Sequence, residues 1–209
     1  MFSKLRKYGI VPVVAVDSPD EGLHLCEALI AGGLPVAEIT FRTDAAEAAI
    51  LAASKRFPEM ILGAGTVLTA EQLERAAAAG ACFAVAPGCN PTVMAKAVEM
   101  DFPFAPGVCT PSDVERAVEQ GLRFLKFFPA EAAGGLPMLK SLIGPYGHLG
   151  LGFCPTGGVN RANMMDYLSI PQVAFVGGTW VAKKDMIKAG DWAGIRDLVR
   201  DAVEAAAQR

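Results

Sequence analysis

Short runs of β-branched and aromatic residues alternate with alanine-rich stretches from one end of this chain to the other. The runs predict strands at Ile10–Val16, Val36–Phe41, Leu62–Val67, Phe83–Pro87, Phe102–Val108, Phe124–Phe128, Gly152–Pro155 and Val173–Val176. Between them, helical patterns lie near Glu21–Ala31, Ala45–Ser54, Glu71–Ala79, Pro91–Glu99, Pro111–Gln120, Leu136–Leu142 and Arg161–Leu168. A last helix is expected over about Trp192–Ala207. No Pro/Ser-rich linker, charge run or low-complexity segment divides this series of strand–helix units, so residues 1–209 read as one domain.

The punctuation agrees with this division. Thr69, Asn90, Thr110 and Asn160 stand where N-caps belong, because a short side-chain oxygen there accepts from a free N–H of the first turn. Pro91 and Pro111 suit the first turn, where a missing N–H breaks no bond. Gly32, Gly80 and Gly121 follow helices where the chain is expected to turn through the left-handed region.

Repeats of this kind either close into a barrel or lie open as a doubly wound sheet. An open dinucleotide-binding sheet needs GxGxxG in its first strand-to-helix turn and an acid about 20 residues on. The first turn here is Val16-Asp17-Ser18-Pro19, without those glycines. The paired glycines come late, Gly157-Gly158 after the seventh strand and Gly177-Gly178 after the eighth, where barrel enzymes commonly hold phosphate. The length of 209 residues also suits a single barrel domain, which typically runs to about 200–250.

Composition removes several classes of function. The chain is 52% hydrophobic and 20% charged, too apolar for disorder, and its formal net charge of -3 provides no electrostatic footprint for nucleic acid. Two uncharged stretches, Ala76–Ala95 and Ser141–Asn160, are broken repeatedly by Gly and Pro and cannot span a membrane. Met1–Val16 has the outline of a signal peptide, with Lys4, Arg6 and Lys7 ahead of an apolar segment. That segment is short, contains Pro12 and runs straight into Asp17, so it reads as a buried strand of a cytoplasmic protein. Five cysteines without CxxC spacing suggest neither a disulfide framework nor a zinc site. His24 and His148, the only histidines, stand in no ligand motif, and metal-free chemistry is expected.

Two charged residues fall inside apolar strands. In Phe124-Leu125-Lys126-Phe127-Phe128, alternation puts Phe124, Lys126 and Phe128 on one face. Burying an ammonium is expensive unless it pairs or loses its proton. Lys126 is thus either a structural lysine, snorkelling or paired, or an amine nucleophile able to form a Schiff base. In Val36-Ala37-Glu38-Ile39-Thr40-Phe41, Glu38 and Thr40 share a face. Glu38 is either a partner that neutralises Lys126 or a general base beside it. Arg42, just past the strand, is a permanent cation suited to a carboxylate. Gly63-Ala64-Gly65-Thr66 and Ala86-Pro87-Gly88 read singly as tight turns. Pro155-Thr156-Gly157-Gly158 and Gly177-Gly178-Thr179 set close-approach glycines beside hydroxyls, a combination that can hold phosphate through backbone N–H groups and a threonine.

Taken together, these segments resemble the 2-keto-3-deoxy-6-phosphogluconate (KDPG) and 4-hydroxy-2-oxoglutarate (KHG) aldolase family over nearly the whole chain. The most specific string is Phe124-Leu125-Lys126-Phe127-Phe128-Pro129-Ala130-Glu131-Ala132. Supporting it are Glu38-Ile39-Thr40-Phe41-Arg42-Thr43, Gly63-Ala64-Gly65-Thr66-Val67, Phe153-Cys154-Pro155-Thr156-Gly157-Gly158 and Gly177-Gly178-Thr179-Trp180. The resemblance implies a (β/α)8 TIM barrel of parallel strands, a homotrimer, and a class I aldolase without cofactor or metal. It casts Lys126 as the Schiff-base lysine, Glu38 as the general acid/base, and Arg42 and Thr66 as the grip on the substrate carboxylate. Pro87 and Phe128 would line the pyruvyl pocket, Thr156 would stand near the reacting hydroxyl, and Gly157, Gly158, Gly178 and Thr179 would surround a phosphate. Thr179 stands where serine is common in the family, which keeps a hydroxyl and adds a methyl, and Ala86 where serine is frequent. The implied substrate is a phosphorylated keto-deoxy sugar acid. Rival readings are an aldolase for the galactonate isomer or another 2-keto-3-deoxy acid, a non-catalytic barrel that binds phosphorylated keto acids, and a phosphosugar isomerase. Simple binding needs neither an unpaired amine nor a base, and an isomerase gives no reason for a lysine in mid-strand.

Overall fold

The computed structural model describes residues 1–209. Strands and helices alternate: β1 (Ile10–Val14), α2 (Pro19–Ala31), β2 (Val36–Thr40), α3 (Ala46–Arg56), β3 (Ile61–Gly65), α4 (Ala70–Ala78), β4 (Phe83–Val85) and α5 (Pro91–Glu99), preceded by a short α1 (Phe2–Leu5). There follow β5 (Phe104–Ala105), β6 (Gly107–Val108), α6 (Pro111–Glu119), β7 (Phe124–Phe127), α7 (Gly135–Tyr146), β8 (Gly152–Pro155), α8 (Met164–Leu168), β9 (Val176–Gly178), α9 (Lys184–Ala189) and α10 (Trp192–Ala206). Every strand pairing is parallel.

The strands form a curled parallel sheet in two hydrogen-bonded parts, ordered β5-β4-β3-β2-β1-β9 and β6-β7-β8. The single strand expected over Phe102–Val108 is divided at Pro106, which lacks the N–H a ladder needs. The Pro106 carbonyl accepts from Lys126 N–H at 2.9 Å instead. Isolated bridges Phe153↔Val173 and Thr156↔Gly177 tie β8 to the segment of β9. Strands buried on both faces explain the continuous apolar runs of the sequence, and one cluster of 62 buried residues fills the space inside and outside the sheet.

The caps work as the side chains suggest, with one exception. Thr69 accepts from Gln72 N–H at 3.1 Å, Asn90 from Thr92 N–H at 3.0 Å, and Thr110 from Asp113 N–H at 3.3 Å in a reciprocal capping box. Asn160 instead organises a turn ahead of α8, accepting from Ala162 N–H at 2.9 Å, and the helix starts only at Met164. Gly80 and Gly121 adopt the expected positive φ, but Gly32 stays right-handed at φ -81° and Gly33 makes the turn at φ 87°.

The chain's start also differs from a plain buried strand. Phe2–Leu5 is helical and drives an aromatic ring into the N-terminal end of the strands, stacked on Phe124 at 4.2 Å and edge-on to Phe83 at 5.7 Å. That end is closed with apolar side chains, which leaves the opposite, C-terminal end for polar groups. No helix is long and apolar enough to cross a membrane.

Candidate active site

At the C-terminal ends of the strands lies a cavity of about 250 Å³. Its wall contains Glu38, Arg42, Thr66, Pro87, Lys126, Phe128, Thr156, Gly157, Gly158, Gly178 and Thr179, together with Val13, Val159 and Gly177. The eleven positions singled out from the sequence therefore converge on one space. They come from six strand ends, those of β2, β3, β4, β7, β8 and β9, so no two neighbouring motifs alone define it.

Lys126 rises from β7 on the same face as Phe128, while Leu125 and Phe127 point into the apolar layer and are fully buried. Its Nζ donates to Glu38 Oε1 at 3.2 Å, and both residues are almost entirely shut off from solvent, with 4% and 3% exposure. The Nζ also sits 5.5 Å from the centre of the Phe128 ring. A buried ion pair of this kind contributes little to stability after desolvation, so its survival points to use rather than strength. Gly65 makes room for the Glu38 carboxylate, since a methyl group on its Cα would collide with Oε1.

Arg42 reaches the mouth from the loop after β2. Its Nε donates to Thr40 Oγ1 at 3.0 Å, and Thr40 in turn donates to the Val14 carbonyl at 2.8 Å. Thr40 is 1% exposed, so a buried hydroxyl aims the guanidinium and leaves its two terminal nitrogens free for a carboxylate. Thr40 was not among the expected site residues, although it shares Glu38's face and stands two residues before Arg42. Thr66, one strand over, is held at φ 55°. For a β-branched residue this is a backbone outlier of the kind that costs about 1–3 kcal/mol and persists where surroundings enforce it.

The opposite wall is made of backbone. Gly157 and Gly158 have φ 98° and 81°, conformations open to glycine, and they turn this segment around the cavity rim. The segment is fastened from outside: Glu131 N–H donates to Gly157 O at 3.0 Å, and Asn160 and Asn163 amides donate to Gly158 O at 3.1 and 3.4 Å. Glu131 in turn accepts a hydrogen bond from the Tyr167 hydroxyl. Burial raises the Tyr167 phenol, and the bond to Glu131 pushes in the same direction. Beside Lys126 on β8, Cys154 is raised chiefly by burial, so a neutral thiol faces the pair. No cluster of three His, Cys, Asp or Glu side chains is arranged to hold a metal ion.

A lysine and a carboxylate buried together at the strand ends of a parallel α/β fold place an amine nucleophile beside an acid/base, the pair that a lyase working through an imine on its own side chain requires. The chain belongs to the KDPG and KHG aldolase family, whose model matches residues 1–198. It is 45% identical over 204 residues to the 2-dehydro-3-deoxy-phosphogluconate aldolase of Haemophilus influenzae, covering 98% of this chain and 95% of that one. With the KHG/KDPG aldolase of Escherichia coli K12 it shares 43% identity over 197 residues, 94% of this chain and 92% of that one. Among solved structures, the KDPG aldolase of Legionella pneumophila, with pyruvate captured as a covalent carbinolamine, matches with a TM-score of 0.91 at 38% identity. That alignment covers 96% of this chain and 97% of that one.

Proposed function

We propose that this protein is a class I aldolase that cleaves 2-dehydro-3-deoxy-6-phosphogluconate to pyruvate and glyceraldehyde 3-phosphate. It acts in the same way on 4-hydroxy-2-oxoglutarate, giving pyruvate and glyoxylate. The observation that carries this reading is the Lys126–Glu38 pair at 3.2 Å on the wall of a cavity at the strand ends.

The chemistry follows from those two groups. Lys126, with its proton passed to Glu38, adds to the C2 ketone; Glu38 returns that proton to the carbinolamine hydroxyl, which leaves as water, so a protonated imine and an ionised Glu38 result. Glu38, through a water, takes the C4 hydroxyl proton, the C3–C4 electrons flow into the imine, and the aldehyde leaves. The resulting enamine takes a proton at C3 from Glu38, and hydrolysis of the imine releases pyruvate and restores the amine. Arg42 and Thr66 hold the C1 carboxylate. Pro87 and Phe128 border the pyruvyl carbons and Thr156 stands near the C4 hydroxyl. Gly157, Gly158, Gly178 and Thr179 take the phosphate with neutral N–H and hydroxyl donors.

The same reading makes the two sheet parts one (β/α)8 barrel over residues 1–209. The ion pair joining β2 of one part to β7 of the other supports this, as do the bridges from β8 toward β9. A cytoplasmic homotrimer is the corresponding assembly. The decisive experiment is borohydride reduction in the presence of pyruvate. Inactivation with a pyruvyl-derived mass on the peptide containing Lys126 is expected; an active protein that gains no adduct there overturns the mechanism.

A further inference from the structure

The catalytic cavity opens sideways into a second, more open basin of about 360 Å³. Val13, Arg42 and Thr179 belong to both, and the basin's far side carries Thr43, Lys183 and Lys184. The residues on that far side have no part in the reaction as derived above.

The charges around the cavity are unevenly placed. Lys126 is matched by Glu38, and Arg42 is aimed by Thr40 at the carboxylate end. The groups assigned to the phosphate are all neutral dipoles. A dianion withdrawn from water among neutral donors needs a counter-charge, because an uncompensated buried charge is far costlier than an imperfect hydrogen bond. The basin holds one within reach of the same wall. Lys184 and Lys188 share a single aspartate, Asp17, at 3.3 and 3.9 Å. Lys183 is exposed, its ammonium makes neither a hydrogen bond nor an ion pair, and it follows Thr179 by four residues on the same turn of chain.

We propose that Lys183 supplies the counter-charge for the distal phosphate, and that the basin is the cationic half of a phosphate subsite whose neutral half is the glycine wall. The inference rests on the aldolase reading above and adds a specificity determinant to it. Ligands suited to the site are keto acids and aldehydes ending in a dianion. A lysine acts on phosphate as a point charge on a flexible stem, so its contribution is electrostatic and falls as salt screens it. Exposed pairs are weak and charge-assisted bonds stronger, which places the effect of one such lysine at about 3- to 10-fold.

The test compares pyruvate release from 2-keto-3-deoxy-6-phosphogluconate and from its unphosphorylated counterpart, at low and high salt. Lys183→Ala should lower kcat/KM about 3- to 10-fold for the phosphorylated substrate only, and flatten its salt dependence. Lys183→Glu should lower it further, Lys183→Arg should restore it to within about twofold, and inhibition by inorganic phosphate should weaken in the same order. Lys140→Ala, a distant exposed lysine on α7, should change nothing. Equal losses on both substrates, or an unchanged phosphate preference in Lys183→Glu, overturns the proposal while leaving the aldolase standing. A parent protein that cleaves neither substrate and traps no pyruvate removes the functional reading and this proposal with it.

Discussion

Lys126 and Glu38 lie 88 residues apart in sequence and 3.2 Å apart in space, one in the three-stranded part of the sheet and the other in the six-stranded part. The pair is the only buried contact between opposite charges in the protein. Its partners reach each other because alternation sends Lys126 and Glu38 inward from β7 and β2, and because Gly65 on β3 leaves space where any side chain would displace the carboxylate.

Glu38→Gln keeps an oxygen that can accept from Lys126 and removes the base. Imine formation with pyruvate should survive at a reduced rate, because the Lys126 proton can pass to water instead, while cleavage and proton exchange at the pyruvate methyl slow by about 10²- to 10⁴-fold, the usual contribution of a positioned acid/base. Deuterium exchange measured by NMR checks this. Exchange at the parent rate would leave Glu38 as a mere charge partner and assign protonation to another group.

Thr40 makes a sharper test of the carboxylate grip proposed for Arg42, since it touches Arg42 and does not line the cavity. Thr40→Val preserves shape but breaks both of its hydrogen bonds, leaving Arg42 unaimed. KM for pyruvate in the aldol direction should rise about 3- to 30-fold with kcat nearly unchanged, the range expected for a misplaced charge-assisted bond. Thr40→Ser should restore the parent value. A fall in kcat alone, or no rescue by serine, would show that Thr40 matters only for packing.

The site was more legible in the sequence than the fold's details. A lysine and a glutamate inside apolar strands are expensive anomalies, and strand alternation fixes which neighbours share their face, so local pattern suffices to place them. Thr40 shares that face but presents no anomaly, because a threonine in a strand is ordinary and only its hydrogen bonds to Val14 and Arg42 mark it. The short helices were illegible for a different reason. Phe2–Leu5 has too few residues for a period to show, and Lys184–Ala189 has one fully buried side chain, Ile187. Their positions are set by what they cover rather than by their own propensity. The break at Pro106 was visible as a proline, but what decides it is the carbonyl left to accept from Lys126 N–H.

Two of the five thiols, Cys26 and Cys154, are buried and three are half-buried, of which Cys89 is also raised by burial and by the Asp113 charge. Burial pushes Cys26 up to about 12, with the Glu27 charge adding, and burial raises Cys154 despite Lys126 nearby. Since the thiolate is the reactive form, a raised value means a neutral, inert thiol at pH 8. Native protein treated with iodoacetamide should stay unmodified at Cys26 and Cys154, and modification should begin at the half-buried Cys82 and Cys109. Peptide mass spectrometry reads this directly. Early labelling of Cys154 in fully active protein would mean that the layer around Lys126 opens to solvent.

Tyr167 tests how the glycine wall is held. Its ring is buried and its hydroxyl donates to Glu131, whose side chain packs against Gly158 and whose N–H holds the Gly157 carbonyl. Tyr167→Phe keeps the ring and deletes the bond. Glu131 is exposed and can turn to water, so the loss should be near the net worth of one hydrogen bond, about 1 kcal/mol, or a Tm lower by about 2–4 °C in a chain of this size. Asn160 and Asn163 still hold the Gly158 carbonyl, so the wall should loosen rather than collapse. KM for phosphorylated substrate should therefore rise a few-fold, about 2- to 5-fold, while unphosphorylated substrate is unaffected. Calorimetry and parallel kinetics on the two substrates separate the outcomes. A lower Tm with identical KM values would confine Tyr167 to stability, and an equal rise on both substrates would show that Glu131 supports the whole mouth rather than the Gly157–Gly158 wall.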